Sequence, residues 1–416
     1  MTGRTPWLPG AGLWRSGRRR RATVTGTILL SQAILWLVRG TTLGPALLGR
    51  SGADLGLAAW FSLLLVGAAW WAALPGAGLA PDHRSPGPWR GTWRRLVSRR
   101  RDAIAVAGLF LLLILAVEAP VLAPFDPDEI GAGPASHHLP PLSRLHLIHT
   151  RDGGVVAASA VEFDGDAIRF RRGDRWTRLA RSALRGTRPG AWHEVRLHLL
   201  GTDHLGRDLL SRILLGSRFS LSVGLLAALL AAVLGAAIGG TAGWAGPRLD
   251  GLLMRATDAA LSIPTLFLVL MVLAVVPGSF IAVVIVLGAT GWMGPSRLVR
   301  AEVRSLRHRP FVEAARVIGR RGPGLIGRHL LPNALAPLLV ATTLRVGQTI
   351  LLEAGLSFLG LGVPPPHATW GNIISGGRPA LIGAWWVATF PGLALVTAVV
   401  LFNLVGDGVR QALAPE

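Results

Sequence analysis

"EAARVIGRRGPGLIGRHLLPN" occupies residues 313–333. It is a glycine-punctuated stretch with four arginines and one carboxylate, set between long apolar segments. Just upstream, Pro310 suits the first turn of a helix, where its missing N–H costs nothing. Phe311, Ala314, Ala315 and Ile318 then fall at i, i+3, i+4 and i+7, which predicts one apolar face. Glu313 and Arg316 flank that face three residues apart. Gly319 stands where a left-handed C-terminal cap belongs. Pro323 can open a second short helix, and Pro332 with Asn333 restarts the chain. We read helix, turn, helix at a membrane surface. An apolar face built on two alanines is shallow, so it fits a protein groove better than lipid.

The chain has 416 residues, is 51% hydrophobic and has a mean hydropathy of +0.48. Apolar runs of membrane-spanning length explain such values. The formal net charge of +21 comes from arginine, since lysine is absent. A nucleic-acid binder shares such charge but not the hydropathy, so nucleic acid is excluded as a partner. With no cysteine there are no disulfides, no thiolate metal sites and no thiol nucleophile.

A helix crosses the hydrocarbon in about 20 apolar residues. Candidate spans are 24–43, 55–78, 103–124, 218–243, 257–276, 279–299, 334–357 and 386–406. Arg39 interrupts the first, which reads as a retained anchor, with a signal-peptide core after "RSGRRRR" as the alternative. Short arginine-rich segments stay in the cytoplasm. Residues 1–23 hold six arginines and no acid, 80–102 seven, and 297–328 nine. Placing all three inside puts both termini in the cytoplasm and residues 126–205 outside.

That outer segment has a different pattern. "RLHLIHTRDGGVVAASAVEFDGDAIRFRRGD" (144–174) alternates apolar and polar residues around "DGG" and "DGD", which are hairpin signals. A small β-rich insert is expected. His137, His138, His146, His149, His193 and His198 raise a metal-site reading, but none has helical i, i+4 spacing with an acidic partner. His146 and His149 lie three apart on a strand and so face opposite sides. No metal site is assigned.

Further motifs accompany the basic loop. These are "HLLGTDHLGRDLLSRILLGSRFSLSVG" (198–224), "EAGLSFLGLGVPPPHATWGNII" (353–374) and "AWWVATFPGLALVTAVVLFNLVGDGVRQALAP" (384–415). Together they resemble the C-type permease subunit of dipeptide and oligopeptide ABC importers, over about 103–125 and 198–416. In the coupling-loop pattern of that family, Glu313, Ala314, Ala315, Gly319, Leu331 and Pro332 match in register, while His329 stands at an aliphatic position. Gln411 and Ala414 stand where the family usually carries acids. The first hundred residues and the long segment between "APFDPDE" and "GTDHLGRD" depart from it.

The resemblance implies an all-α polytopic membrane protein of the type I ABC importer class. It would have six core spans, with about two extra N-terminal spans and a small β-rich external insert. The expected divisions are an N-terminal extension 1–100, a first core span 101–125, an insert 126–205, and a core 206–416 with the coupling loop 300–332. The implied setting is the inner membrane of a bacterium. Implied partners are lipid, a homologous second permease subunit, one or two ATPases and an external solute-binding protein. ATP and magnesium would sit on the ATPase, with no cofactor in this chain. The implied cargo is di- or oligopeptides, and nickel, sugars or another small solute remain alternatives.

Roles for single residues follow. Thr202 and Asp203 can cap a short helix at 204–215, with Arg207 and Asp208 tying it to its neighbours. Gly201 and Gly206 complete this structural motif. Trp370, Trp385 and Trp386 fit an interfacial aromatic belt. Arg345, Gln348 and Glu353 fall in or near one span. Arg345 and Gln348, one turn apart, would face the bundle together and either line the path or pair within the core. "GRRGPG" lacks the ending of a phosphate loop, and neither a nucleophile elbow nor a zinc-protease motif appears. A membrane enzyme is thereby disfavoured, the coupling-loop pattern argues against an uncoupled channel, and no catalytic residue is assigned.

Overall fold

The structure is a computed structural model that describes residues 32–33, 62, 95–173, 175–186, 188–317 and 330–413. The candidate spans 24–43 and 55–78 lie almost wholly outside the described residues. So do Gly319 and the second short helix expected from Pro323.

The first core helix, α1, runs Arg100–Leu122. It leads into six strands: β1 Ser143–His149, β2 Val155–Ala158, β3 Ala160–Asp164, β4 Ala167–Arg172, β5 Arg175–Ala180 and β6 His193–His198. They form two antiparallel three-stranded sheets, ordered β2-β1-β6 and β3-β4-β5. "DGG" and "DGD" mark the turns between β1 and β2 and between β3 and β4, where Gly153 and Gly165 take φ +85° and +59°. One face of the β1 sheet packs on the second sheet through Ile148, Ala158, Ile168, Phe170 and Trp192. The other face carries Leu145, Leu147 and Ala157 against the incoming loop. On β1, His146 and His149 do part company. His146 stacks on His193 at 5.1 Å between ring centres, and His149 lies 3.5 Å from Glu194.

The helical part follows. Helix α2 spans Leu209–Trp244 and is the spine of the bundle, touching α1 and the helices α3, α5, α6, α8, α9 and α10 defined below. It ends where Pro247 approaches, because proline excludes helix from the residue before it. Helices α3 Pro247–Leu261 and α4 Thr265–Val275 meet at an 80° bend, and α5 Phe280–Ala289 and α6 Met293–Leu306 meet at 43°. The stretches 257–276 and 279–299, expected as single spans, are therefore broken. Pro264 removes an N–H at the first break, and Thr290–Trp292 carries the second. Next come α7 Pro310–Val317, α8 Leu331–Phe358, α9 Trp370–Gly377 and α10 Trp386–Leu413. Among the described residues, α1, α2, α8 and α10 are each long and apolar enough to cross a membrane, and each bent pair can supply one more span.

Among the described residues, three of the apolar clusters tie the length of α2 into the bundle. One joins Leu221 of α2 to Ile350 of α8, Trp370 of α9 and Phe402 of α10. A second joins Val223 to Val269 of α4 and Val283 of α5. The third joins Ala232 to Val299 and Val303 of α6, Val312 of α7 and Leu338 of α8. Trp370 and Trp386, expected in an interfacial belt, are core residues at 1% and 6% exposure. Their indole N–H groups donate to the carbonyls of Ile213 at 3.1 Å and Thr202 at 3.4 Å. Only Trp385 of the three is exposed. The N-terminal extension touches the core through a buried polar contact: Gln32 Nε2 donates to Glu118 Oε1 of α1 at 2.9 Å, and Ser62 donates to Gln32.

Small residues at four-residue spacing let α2 and α6 approach. A Cβ on Gly235 would press on Pro295, one on Gly239 would strike the Ser296 carbonyl, and one on Gly243 would stand 2.9 Å from the Arg300 carbonyl. Such stripes replace the hydrophobic drive that lipid does not supply. Next to Gly239, a Cβ on Gly240 meets nothing within 4 Å. We expect Gly239→Ala to cost about 1–3 kcal/mol by overpacking, and Gly240→Ala to be neutral or stabilising. Thermal unfolding of the purified protein in detergent measures both. Equal midpoints for the two variants would remove the backbone contact as a source of stability.

Candidate functional site

Two places bring the sequence-predicted residues together: the N-terminus of α2 and the short helix α7.

At the first, Gly201 takes φ +84°, with the Leu139 carbonyl where a side chain would be. The chain then makes a tight turn. Thr202, fully buried, donates to the Ser136 carbonyl at 2.6 Å and accepts from the Leu139 N–H at 2.8 Å. Asp203 caps no helix. Its Oδ1 accepts from the backbone of Leu205 at 2.8 Å and of Arg207 at 3.0 Å, and its Oδ2 from Arg207 Nε at 2.8 Å. Gly206, at φ +75°, closes the turn against Ser136.

The cap of α2 is Asp208. Its Oδ2 accepts from the backbone and the hydroxyl of Ser211, both at 2.8 Å, and its Oδ1 lies 2.8 Å from Nδ1 of His198. The short helix expected at 204–215, capped by Thr202 and Asp203, is thus a turn followed by a 36-residue helix. Two Asp candidates stood five apart in sequence, and the turn took the first. Arg212, 4% exposed, extends the cluster to the Pro127 carbonyl at 3.0 Å and to Asp128 at 3.3 Å. Sequence reasoning weighed His198 only as a metal ligand and missed its pairing with Asp208, and it missed Arg212. The signal for His198 was its place at the end of a strand three residues before the Gly-Thr-Asp turn.

At the second place, Pro310 does open α7. Its buried contact is Val312, at 0% exposure, which seats among Val299, Val303 and Leu338. The expected face of Phe311 and Ala314 is instead open, with Phe311 41% exposed and Glu313 exposed beside it. Val317 at 87% exposure continues the open apolar strip. The helix therefore has two apolar sides, and the periodicity found the one this chain leaves uncovered. Ala315 lies within α7, and Leu331 and Pro332 open α8.

The intramembrane residues separate. Arg345 packs its guanidinium on Gly291 at the α5–α6 break, and its Nε has no hydrogen-bond partner among the described residues. Gln348 is exposed on α8, so it does not face the bundle with Arg345. Glu353 is fully buried and accepts from Ser357 Oγ at 2.7 Å, next to the α9 cap Thr369.

Known proteins resemble this chain in sequence. Residues 224–416 match the family described as binding-protein-dependent transport system inner membrane component. Residues 87–141 match the N-terminal TM domain of oligopeptide transport permease C. The di/tripeptide transport system permease protein of Pseudomonas aeruginosa (strain UCBPP-PA14) is 32% identical over 336 residues, covering 81% of this chain and 95% of that one. The chain belongs to this permease family.

The oligopeptide transport system permease protein of Bacillus subtilis (strain 168) is 39% identical over 219 residues, covering 53% of this chain and 72% of its own. Among solved structures, inward-facing conformations of the MetNI methionine ABC transporter align with a TM-score of 0.41 and 20% identity, over 50% of this chain and 97% of that one. The permease is thus a multi-pass inner-membrane protein of a transport system that works with a binding protein. Gln411 accepts a hydrogen bond from Arg99, so the end of α10 contacts the approach to α1.

For the α2 junction we expect Asp208→Ala to cost about 1–2 kcal/mol from the lost cap. Amides 209–212 and the end of β6 should exchange hydrogen faster, with Asp208→Asn milder because asparagine still caps. Unchanged exchange in Asp208→Ala would show that the carboxylate does not hold the two parts together.

Proposed function

We propose that this permease is one of two membrane subunits of an ABC importer that moves di- or oligopeptides into the cytoplasm. ATP hydrolysis occurs on partner ATPases, which carry the nucleotide and magnesium. The second membrane subunit is a homologue, and an external solute-binding protein delivers the cargo. Both termini and α7 lie in the cytoplasm, and the β domain lies outside. The cargo reading rests on the relatives' names, since peptides are what those permeases carry.

One observation carries the coupling role. Helix α7 is anchored on one side by Val312 and leaves Phe311, Ala314 and Val317 open on the other. Alone, eight residues would not hold a helix in water. Burying Val312 contributes about 2 kcal/mol, so the helix is carried as a rigid piece by α6 and α8. A partner that docks on the open strip moves those helices. In this reading the α5–α6 break lets the inner half move against the outer half, and Arg345 beside that break faces the solute's route. The bends are where irregular backbone is tolerated at membrane depth.

Glu313→Lys reverses the one carboxylate on the open side without touching Val312. Gly319→Asp adds a charged side chain two residues beyond α7 in the sequence. Reconstituted with its partners in proteoliposomes, each variant should insert normally, lose peptide uptake and lose stimulation of ATP hydrolysis by the loaded binding protein. Wild-type uptake and stimulation in both would remove the docking role. Uptake of nickel or a sugar, but not peptides, by the wild type would overturn the cargo while leaving the coupling intact.

A further inference from the structure

Only Ala245 and Gly246 separate the end of α2 from the start of α3. From Ser220 to Trp244, α2 holds no charged residue, so α3 begins where an apolar span ends. On its other side α4 is again uncharged. Between the two, α3 carries Arg248, Asp250, Arg255 and Asp258. Four charges in one short helix do not sit in hydrocarbon without partners. The helix also turns 80° away from α4. A charged helix at nearly a right angle to an apolar one lies along the membrane surface.

Its acids place it. Arg300 Nη2 of α6 donates to Asp250 Oδ2 at 2.6 Å, and Arg304 lies 3.5 Å from the same carboxylate. Asp258 pairs with Arg297 of α6. Helix α3 is thus tied to the end of the bundle that carries α7. These pairs use both acids of α3. Arg248 and Arg255 have no ion-pair partner among the described residues, so α3 keeps two uncompensated cations.

The apolar residues of α3 share a side. Leu249, Leu252, Ala256 and Ala259 fall at i, i+3, i+7 and i+10, which makes one strip. Leu249 is 46% and Leu252 66% exposed, and both alanines are exposed. Arg248 and Arg255, seven residues apart, run along one border of this strip. The packed side is elsewhere, set by buried Thr257 and by Asp250. Leucines bordered by arginines suit the membrane interface: the strip enters the acyl chains while the guanidinium heads reach the phosphates. A protein groove would need acids of its own for these two cations, whereas phospholipid headgroups meet them where the chain leaves the bilayer.

We propose that α3 is an interfacial helix that binds anionic phospholipid, with its leucine strip among the acyl chains and Arg248 and Arg255 on the headgroups. Because Asp250 ties α3 to α6, and α6 carries Val299 and Val303 beneath Val312, the lipid steadies the frame on which α7 sits. Movement of α6 then draws α3 along the membrane surface. The inference holds for either orientation of the chain in the membrane and for any cargo, so its test does not fall with the coupling reading.

The chain has no cysteine, so Leu252→Cys takes a single bimane fluorophore. The labelled full-length permease is placed in nanodiscs of phosphatidylcholine and phosphatidylglycerol in equal parts, alone and assembled with its partner subunits. A doxyl quencher near the headgroup is carried by one lipid or the other. Doxyl lipid should quench the fluorophore in both states and aqueous iodide should not. Gly251→Cys, seven residues from Asp258 on the polar side, should show the reverse, and a Cβ there meets nothing within 4 Å. An arginine near an anionic surface is worth about fivefold, so labelled phosphatidylglycerol should be favoured at least about tenfold over phosphatidylcholine. Arg248→Gln with Arg255→Gln should remove that preference and leave quenching by phosphatidylcholine. Each variant is matched to wild type for unfolding midpoint, and Leu249→Cys gives the same readout if Leu252→Cys does not fold. Iodide quenching at the strip would put it in water, and protection from both quenchers would put a protein on it. Either result, equal quenching by the two lipids, or a preference kept in the double variant would overturn the proposal.

Discussion

The permease depends first on how closely α2 can approach α6. Lipid tails are as apolar as leucine, so nothing hydrophobic pushes two helices together in the membrane, and close packing must do it. Gly235, Gly239 and Gly243 remove the side chains that would keep the α6 backbone away. With α6 seated, Val299 and Val303 line up with Ala232 and Leu338 into a small apolar platform. Val312 drops into that platform and seats α7. Helix α7 is thus positioned by glycines about seventy residues earlier in the chain.

The other end of α2 is fixed by different physics. There the joint is polar and buried: Asp208 caps the helix, and the same carboxylate holds His198 of the last strand. Asp203 and Arg212 tie the preceding turn to the loop after α1. A buried carboxylate is tolerable only when its lone pairs are used, and here they are. The β domain is therefore joined to the membrane core through hydrogen bonds at one helix terminus. Motion of α2 and the state of the β domain are mechanically linked at that point.

Much of this was legible in the sequence, and the misses have physical causes. The hairpins announced themselves through Gly153 and Gly165, because only a left-handed residue makes those turns. Pro310 marked the start of α7 for a different local reason, since its fixed φ and missing N–H suit a first turn. The identity of the α2 cap was not local: Asp203 and Asp208 are both good caps, and the contacts of Thr202 with Ser136 and Leu139 decided that the first belongs to a turn. Trp370 and Trp386 have belt-like chemistry, but their N–H groups reach carbonyls inside the bundle. Gln348 fell on the open side of α8, a matter of which neighbours surround that helix. The two broken spans were half legible, since Pro264 forbids a straight helix while nothing so plain marks Thr290–Trp292.

The claim on which the coupling account rests is that the open strip of α7 is a cytoplasmic docking face. The chain has no cysteine, so Ala314→Cys gives a unique probe on that strip. A membrane-impermeant thiol reagent should leave it unlabelled in intact cells and label it in inside-out vesicles stripped of the ATPase. Adding the ATPase back should protect it. Labelling in intact cells would place α7 on the wrong side of the membrane, and labelling unaffected by the ATPase would mean that the strip left open by Val312 is not where the partner sits.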